Sequence, residues 1–324
     1  MSRPYILRKN VSRISDPQGG HAALGLGIGN VYWVIKTTET HYAQFLEDHL
    51  FEYSDGSASV QTSIQAALDA TVECRNDYVM VMPSDSDYDL TAALTLSKKG
   101  VHLIAAGSSP YYPNGCGNSV RLDQTGAYPV MVVSDSAIEI AGFYLKNYYC
   151  KGGIIIANTS YGLNIHHNYW AMRLNTATNE PMLGPYISNA SGDAGAWSTF
   201  HSNFIQSQAG ASATIAAIIR FNSQATGVRV LNTDIAIGDT DNTATVGILN
   251  LSVKGQVNDC NFSAHQTASG AGVFTHCIQI HASGTAYGNR GNVADGELVV
   301  GGTDDLSYVL NYNSVDGGTQ DEQH

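Results

Sequence analysis

Between Ile154 and Val293 one short unit is written five times, and this repeat constrains the fold more than any other feature of the chain. The units' second strands run from Gly162 to Tyr169, Trp197 to Phe204, Gly227 to Asp234, Gly255 to Phe262 and Ala286 to Val293. Four carry Asn six residues after the start, at Asn168, Asn203, Asn261 and Asn292, and the other has Thr233. A short apolar strand precedes each one: 154–156, 186–187, 218–221, 248–251 and 278–280. Starts about 28 to 35 residues apart lie in the range of stacked repeat architectures. Richness in β-branched residues, with Asn and Gly at the corners and no helical period, marks each unit as one turn of a coil.

One coil of two or three short strands has a single apolar face and cannot bury it alone, so coils must stack over a shared core. The sheets are then parallel, with a rise of about 4.8 Å per coil. An Asn repeated at one corner accepts left-handed geometry and bonds to the Asn of the next coil. Asn168, Asn203, Asn261 and Asn292 are therefore expected to form a structural ladder. The expected class is an all-β, single-stranded parallel β-helix.

Composition agrees with an ordered, loop-rich β protein: 33 Gly, 18 Tyr, 43% hydrophobic and 14% charged residues. A formal net charge of −12 argues against a general nucleic-acid or anionic-membrane binder. The basic residues are uneven, however: Arg3, Arg8, Lys9 and Arg13 precede the first acid, Asp16. Met1 to Asn10 lacks the apolar core of a signal peptide, and no run is long enough to span a bilayer, so synthesis in a cytoplasm is expected. Cys74, Cys116, Cys150, Cys260 and Cys277 are odd in number without close pairing, which opposes a disulfide framework and a zinc site. Cys260 and Cys277 are expected as small buried hydrophobes in neighbouring coils. No cofactor or metal is expected.

Residues 1–30, rich in Gly with Pro4 and Pro17, read as an extended basic arm that orders against a partner. Residues 31–107 read as an N-terminal cap and the first coils. They hold a strand at Val31–Ile35, a helical turn at Tyr42–Leu50 and a helix over about 59–74, whose apolar positions Val60, Ile64, Ala67, Leu68 and Val72 share one face. That helix would cover the open end of the stack. Residues 108–313 form the coiled body, with a Tyr- and Pro-rich loop after Gly107, and 314–324 form a polar, acidic tail.

The stretches Ser63-Ile-Gln-Ala-Ala-Leu-Asp-Ala70, Val79-Met-Val-Met-Pro83, Tyr88-Asp-Leu90 and Leu94-Thr-Leu-Ser-Lys-Lys-Gly100-Val-His-Leu-Ile104-Ala-Ala-Gly107 resemble the opening of pectin-lyase-like right-handed parallel β-helix proteins. That group includes polysaccharide lyases and hydrolases, phage tailspikes and non-enzymatic virion proteins. The resemblance covers about 50 residues closely and implies the fold; the residues that carry it build and cap the coil, and do not fix an activity.

Chemistry on such a coil needs two carboxyl groups at a fixed separation, or clustered carboxylates with a basic residue. Asn232-Thr-Asp234 matches the Asn-Thr-Asp box of polygalacturonase-like hydrolases, but the remaining boxes of that pattern are missing. Asp234 and Asp259 are the weak catalytic candidates. His166 with His167, and His276 with His281, are expected on opposite strand faces as solvated or corner residues. Arg220 and Arg229 would hold a carboxylated sugar or pair with Asp234 or Asp259. Tyr111, Tyr112, Tyr144, Tyr148, Tyr149 and Tyr169 offer a sugar-stacking or subunit-contact surface.

The expected function is that of a structural virion protein of a tailed bacteriophage, a capsid decoration, head fibre or tail-associated β-helix. It would be a homotrimer without membrane or specific nucleic-acid partners, attached to capsid or tail proteins through Arg3, Arg8, Lys9 and Arg13. The alternatives are a tailspike-like glycan depolymerase or polysaccharide lyase, and a non-catalytic carbohydrate-binding protein, with a host surface glycan as partner.

Overall fold

The computed structural model describes residues 29–107, 119–147, 152–157, 160–173, 186–189, 193–208, 214–221, 225–237, 243–264, 266–267, 270–271, 273–291, 298–301, 308–309 and 311–313. Most of the basic arm, including Arg3, Arg8, Lys9 and Arg13, and the acidic tail lie outside them, as do Tyr111, Tyr112, Tyr148, Tyr149 and His265.

Strand β1 (Val31–Val34) pairs in parallel with β2 (Val60–Gln61) on one side and β3 (Tyr78–Val81) on the other, opening a first sheet of eleven strands. It continues through His102–Ala105, Glu139–Ala141, Asn164–His166, Thr199–His201, Arg229–Leu231, Gln256–Asn258 and Thr285–Tyr287 to Tyr308–Val309. A second sheet of nine strands starts at β4 (Tyr88–Leu90) and a third of eight at β5 (Leu94–Leu96). All pairing in the three sheets is parallel; a separate antiparallel pair joins Gln266–Thr267 to Gly270–Ala271. The molecule is a parallel β-helix.

Each coil contributes one strand to each sheet, so a full coil has three strands. The stretch from Gly162 to Tyr169 is not one strand. It divides into Asn164–His166 in the first sheet and Tyr169–Arg173 in the second, broken at His167, whose φ is 53°. Alternation within the first sheet points Leu103, Ile140, Ile165, Phe200, Val230 and Val257 inward at one register position, each fully buried. A single apolar cluster joins these to residues from Tyr32 to Val299, with Trp170, Tyr32, Tyr186 and Phe143 among the bulkiest members. Burying one such side chain is worth about 2 kcal/mol. The few that one coil supplies do not offset the ordering of its own backbone, at about 1–2 kcal/mol per residue, which is why coils stack.

Helix α1 (Tyr42–His49) lays Phe45 against Ile35, Val60 and Trp33. Helix α2 (Ile64–Ala70) is shorter than the span expected for it, because Val60–Gln61 is taken into β2 and the chain is extended again at Thr71. Ser63 caps it, its Oγ accepting from Ala66 N at 3.2 Å. Ile64, Ala67 and Leu68 close the core at this end. Gln65 presents its amide to the backbone of β5: Oε1 accepts from Thr95 N at 2.9 Å and Nε2 donates to Thr95 O at 3.3 Å. A side chain thus satisfies a strand edge that has no further strand beside it among the described residues.

Two corners recur in left-handed conformation. The first, where the chain enters the first sheet, is occupied in successive coils by Asn76, Gly100, Ala137, Gly162, Trp197, Gly227 and Lys254, all at φ between 55° and 71°. The second, where it leaves for the second sheet, is occupied by Gly142, His167, Ser202, Asn232, Asp259 and Gly288. The residue after the second corner turns inward: Phe143, Asn168, Asn203, Thr233, Cys260 and Asn289, all buried.

Candidate functional site

On the outer face of the first sheet, side chains from five coils make one polar cluster. His102 stacks on Tyr78, ring centroids 4.2 Å apart and 9° from parallel, and its Nε2 lies 2.7 Å from Asn76 Oδ1. Its Nδ1 is 2.5 Å from Glu139 Oε2, and Glu139 Oε1 is 2.8 Å from His166 Nε2. His166 Nδ1 lies 2.7 Å from His167 Nδ1, and the His166 ring stacks on His201 at 4.7 Å. Period-two alternation aims His102, Glu139, His166 and His201 outward. His167 reaches the same side because the left-handed turn rotates it, so the expectation that His166 and His167 face apart is overturned.

Burial alone would raise the Glu139 carboxyl, but hydrogen bonds from His102 and His166, and their charge, outweigh it and bring the group down to about 2. Burial lowers His201 to about 4, with repulsion from His166 and His167 adding to it, and lowers His167 in the same way. Glu139 is therefore a fixed anion that ties two imidazoles across coils. A carboxyl held so low is no general acid at neutral pH, since that role requires a proton to give. Among the described residues, no three His, Cys, Asp or Glu side chains are placed to share a metal ion.

A second network lies on the outer face of the second sheet. Asp87 takes Arg121 Nε at 2.7 Å on one oxygen and Lys146 Nζ at 2.6 Å on the other. Beside it, Tyr144, Tyr169 and Phe204 follow one another in register, with centroids 4.8 Å and 5.2 Å apart, and the Tyr169 hydroxyl donates to Gln206. Tyr144 and Tyr169 are buried, so of the tyrosines read as a contact surface these two face little solvent.

No protein-family model matches the sequence. The curated proteins contain no match to it either. Among solved structures, ORF18 of Geobacillus virus E2 is similar, at 14% identity and a TM-score of 0.37 over 93% of this chain. The chain spans 63% of the length of that protein. No helix among the described residues is long and apolar enough to cross a membrane.

Asp234 heads a second-sheet strand in register with Phe204 and Asn261, and its Oδ1 accepts from Asn261 Nδ2 at 2.7 Å. Asp259 sits exposed at the second corner of the following coil. Arg229 is exposed on the first sheet and Arg220 is half-buried on the third; neither forms an ion pair with Asp234 or Asp259 among the described residues. His281 bonds to Ser283, Nδ1 to Oγ at 3.0 Å. Cys260 and Cys277 are both buried, and burial pushes the Cys260 thiol up to about 12.

The asparagines divide. Asn168 donates from Nδ2 to Asn203 Oδ1 at 3.3 Å and to Ile140 O at 3.1 Å, while Asn203 donates to Ile165 O at 3.0 Å. In the last coils the same inward position is held by Asn289 and Asn311, with Nδ2 to Oδ1 at 2.8 Å. Asn261 stands one residue past that position, which belongs to Cys260, and is exposed. Asn292 lies outside the described residues. His102, Glu139 and His201 were missed by sequence reasoning because two of them precede the repeat. The signal that finds them is an outward polar residue recurring one place from an inward Leu, Ile or Phe.

Proposed function

We propose that the chain is a structural β-helix protein of the pectin-lyase-like group, carried on a tailed-bacteriophage particle as a capsid decoration, head fibre or tail-associated rod. It is a homotrimer held by its basic arm. The observation that carries this reading is the use made of the outward carboxylates. Glu139 ties His102 to His166, and Asp87 ties Arg121 to Lys146, each across neighbouring coils. Such lengthwise struts stiffen a rod, and they leave these groups committed instead of free to transfer a proton. The resemblance of 63–107 to a group that includes tailspikes and virion proteins supports the particle setting, and the four cations of residues 1–13 supply the attachment.

The test compares full-length chain with a variant lacking residues 1–30 for co-sedimentation with phage particles, and sizes both by sedimentation equilibrium. Attachment lost with the arm, and a mass of three chains, is the expected result. Equal attachment of the two forms refutes the arm's role. Release of reducing ends or unsaturated sugars from capsular glycan, abolished by Asp234→Asn, would replace this reading with the depolymerase.

A further inference from the structure

Trp197 stands apart from the corner series it belongs to. Its φ is 56°, a conformation that costs a bulky L side chain, and the equivalent residues of the two adjoining coils are Gly162 and Gly227. The backbone turn is thus made by glycine on either side and does not require an indole. Nor does the core: Trp197 is 62% exposed, the most open of the large apolar side chains among the described residues. Its six-membered ring lies over Gly227, where an added Cβ would come within 2.6 Å of it. At Gly162 an added Cβ would meet nothing of the described residues within 4 Å beyond its chain neighbours, so on that side they leave an open notch. Tyr161, 50% exposed and in register with Ala196, stands beside it, and Lys99 Nζ lies 5.8 Å from the Tyr161 ring centroid.

We propose that this notch binds a single pyranose ring of a polysaccharide. The face of an aromatic ring is negative and attracts the partly positive C–H groups on the apolar face of a sugar. Trp197 supplies that face, glycines on both sides keep the approach flat, and Tyr161 and Lys99 offer a hydroxyl and an ammonium to the sugar's oxygens. Area decides against a second protein chain as occupant. Two aromatic side chains bury at most about 300–500 Å², short of the ~800 Å² per partner of a stable protein interface. The backbone strain at Trp197 then has a use, since a residue held against its preference at the surface serves contact and not folding. This site is separate from the His102–Glu139–His166 cluster, and its test does not depend on where the protein resides.

Full-length chain is applied to arrayed capsular polysaccharides and lipopolysaccharide O-chains, and the best binder is followed by iodide quenching of tryptophan fluorescence. Of the three tryptophans, Trp170 is buried and Trp33 half-buried, so quenching reports mainly on Trp197. The expected result is that bound glycan shields the fluorescence, and that Trp197→Gly and Tyr161→Ala each bind at least about tenfold more weakly while melting as the parent does. Tyr161→Ala leaves the strained corner unaltered and guards against a folding artefact. No glycan retained, or Trp197→Gly binding as the parent, overturns the proposal. So does a self-association of the parent that Trp197→Gly abolishes, because the ring would then belong to a second copy.

Discussion

Glu139 Oε1 and His166 Nε2 lie 2.8 Å apart across two neighbouring coils, and His166 in turn stacks on His201 at 4.7 Å. The folded chain holds His201 at about 4 against 6.5 when free, and Glu139 at about 2 against 4.5. Both groups bind fewer protons folded than unfolded, so stability rises with pH through these ranges. The contribution of His201 is complete above pH 6.5 and is lost as pH falls toward 4; that of Glu139 is lost between 4.5 and 2. Melting midpoints across a pH series should decline on acidification, and His201→Gln should flatten the limb between 6.5 and 4. A parent midpoint constant over that limb would sink this account.

Asn203→Ala should cost about 3 kcal/mol, measured by denaturant unfolding. It removes the acceptor of Asn168 N and Nδ2 and the donor to Ile165 O inside the core, and each orphaned buried group costs about 1–3 kcal/mol. Asn261→Ala, on the exposed side of the neighbouring position, should stay within about 0.5 kcal/mol. Equal effects at the two sites would contradict the burial difference.

Asp77→Ala should destabilise by about 3–5 kcal/mol. Asp77 is fully buried and accepts from Asn30 N, Val72 N and the Arg75 guanidinium, each at 2.7 Å, joining the entry of β1 to the end of α2. Without it the Arg75 charge keeps only Asp55 as an ionic partner, at 2.7 Å. The check is chemical denaturation, with Asp55→Ala as a milder comparison because that carboxylate is at the surface.

Gly153→Ala should cost about 1–3 kcal/mol. A Cβ there would collide with the Tyr186 carbonyl and come within 2.6 Å of the Trp170 ring, both deep in the core. Thermal melting alongside near-ultraviolet dichroism of Trp170 reads both the loss and its place; an unchanged melt would mean that the core yields there.

The coil itself was legible because inward Leu, Ile, Val and Phe alternate with polar residues and recur at coil spacing. Strand number per coil was not legible. His167, Ser202 and Asn232 make the second corner without Gly or Pro to announce it, so two strands read as one. The asparagine ladder was aligned from Gly255, which follows the left-handed Lys254, and this one-residue shift placed Asn261 where Cys260 sits. The His102–Glu139–His166 cluster depends on parallel register between coils of unequal length, which loops of different size conceal from any fixed period.

Because the coils from Ala137 to Asp259 bend at the same two backbone positions, gaining or losing a whole coil there leaves its neighbours' turns unaltered. Each such event moves the far tip by about 4.8 Å. Reach is therefore a quantity that changes in fixed increments, like notches on a ruler.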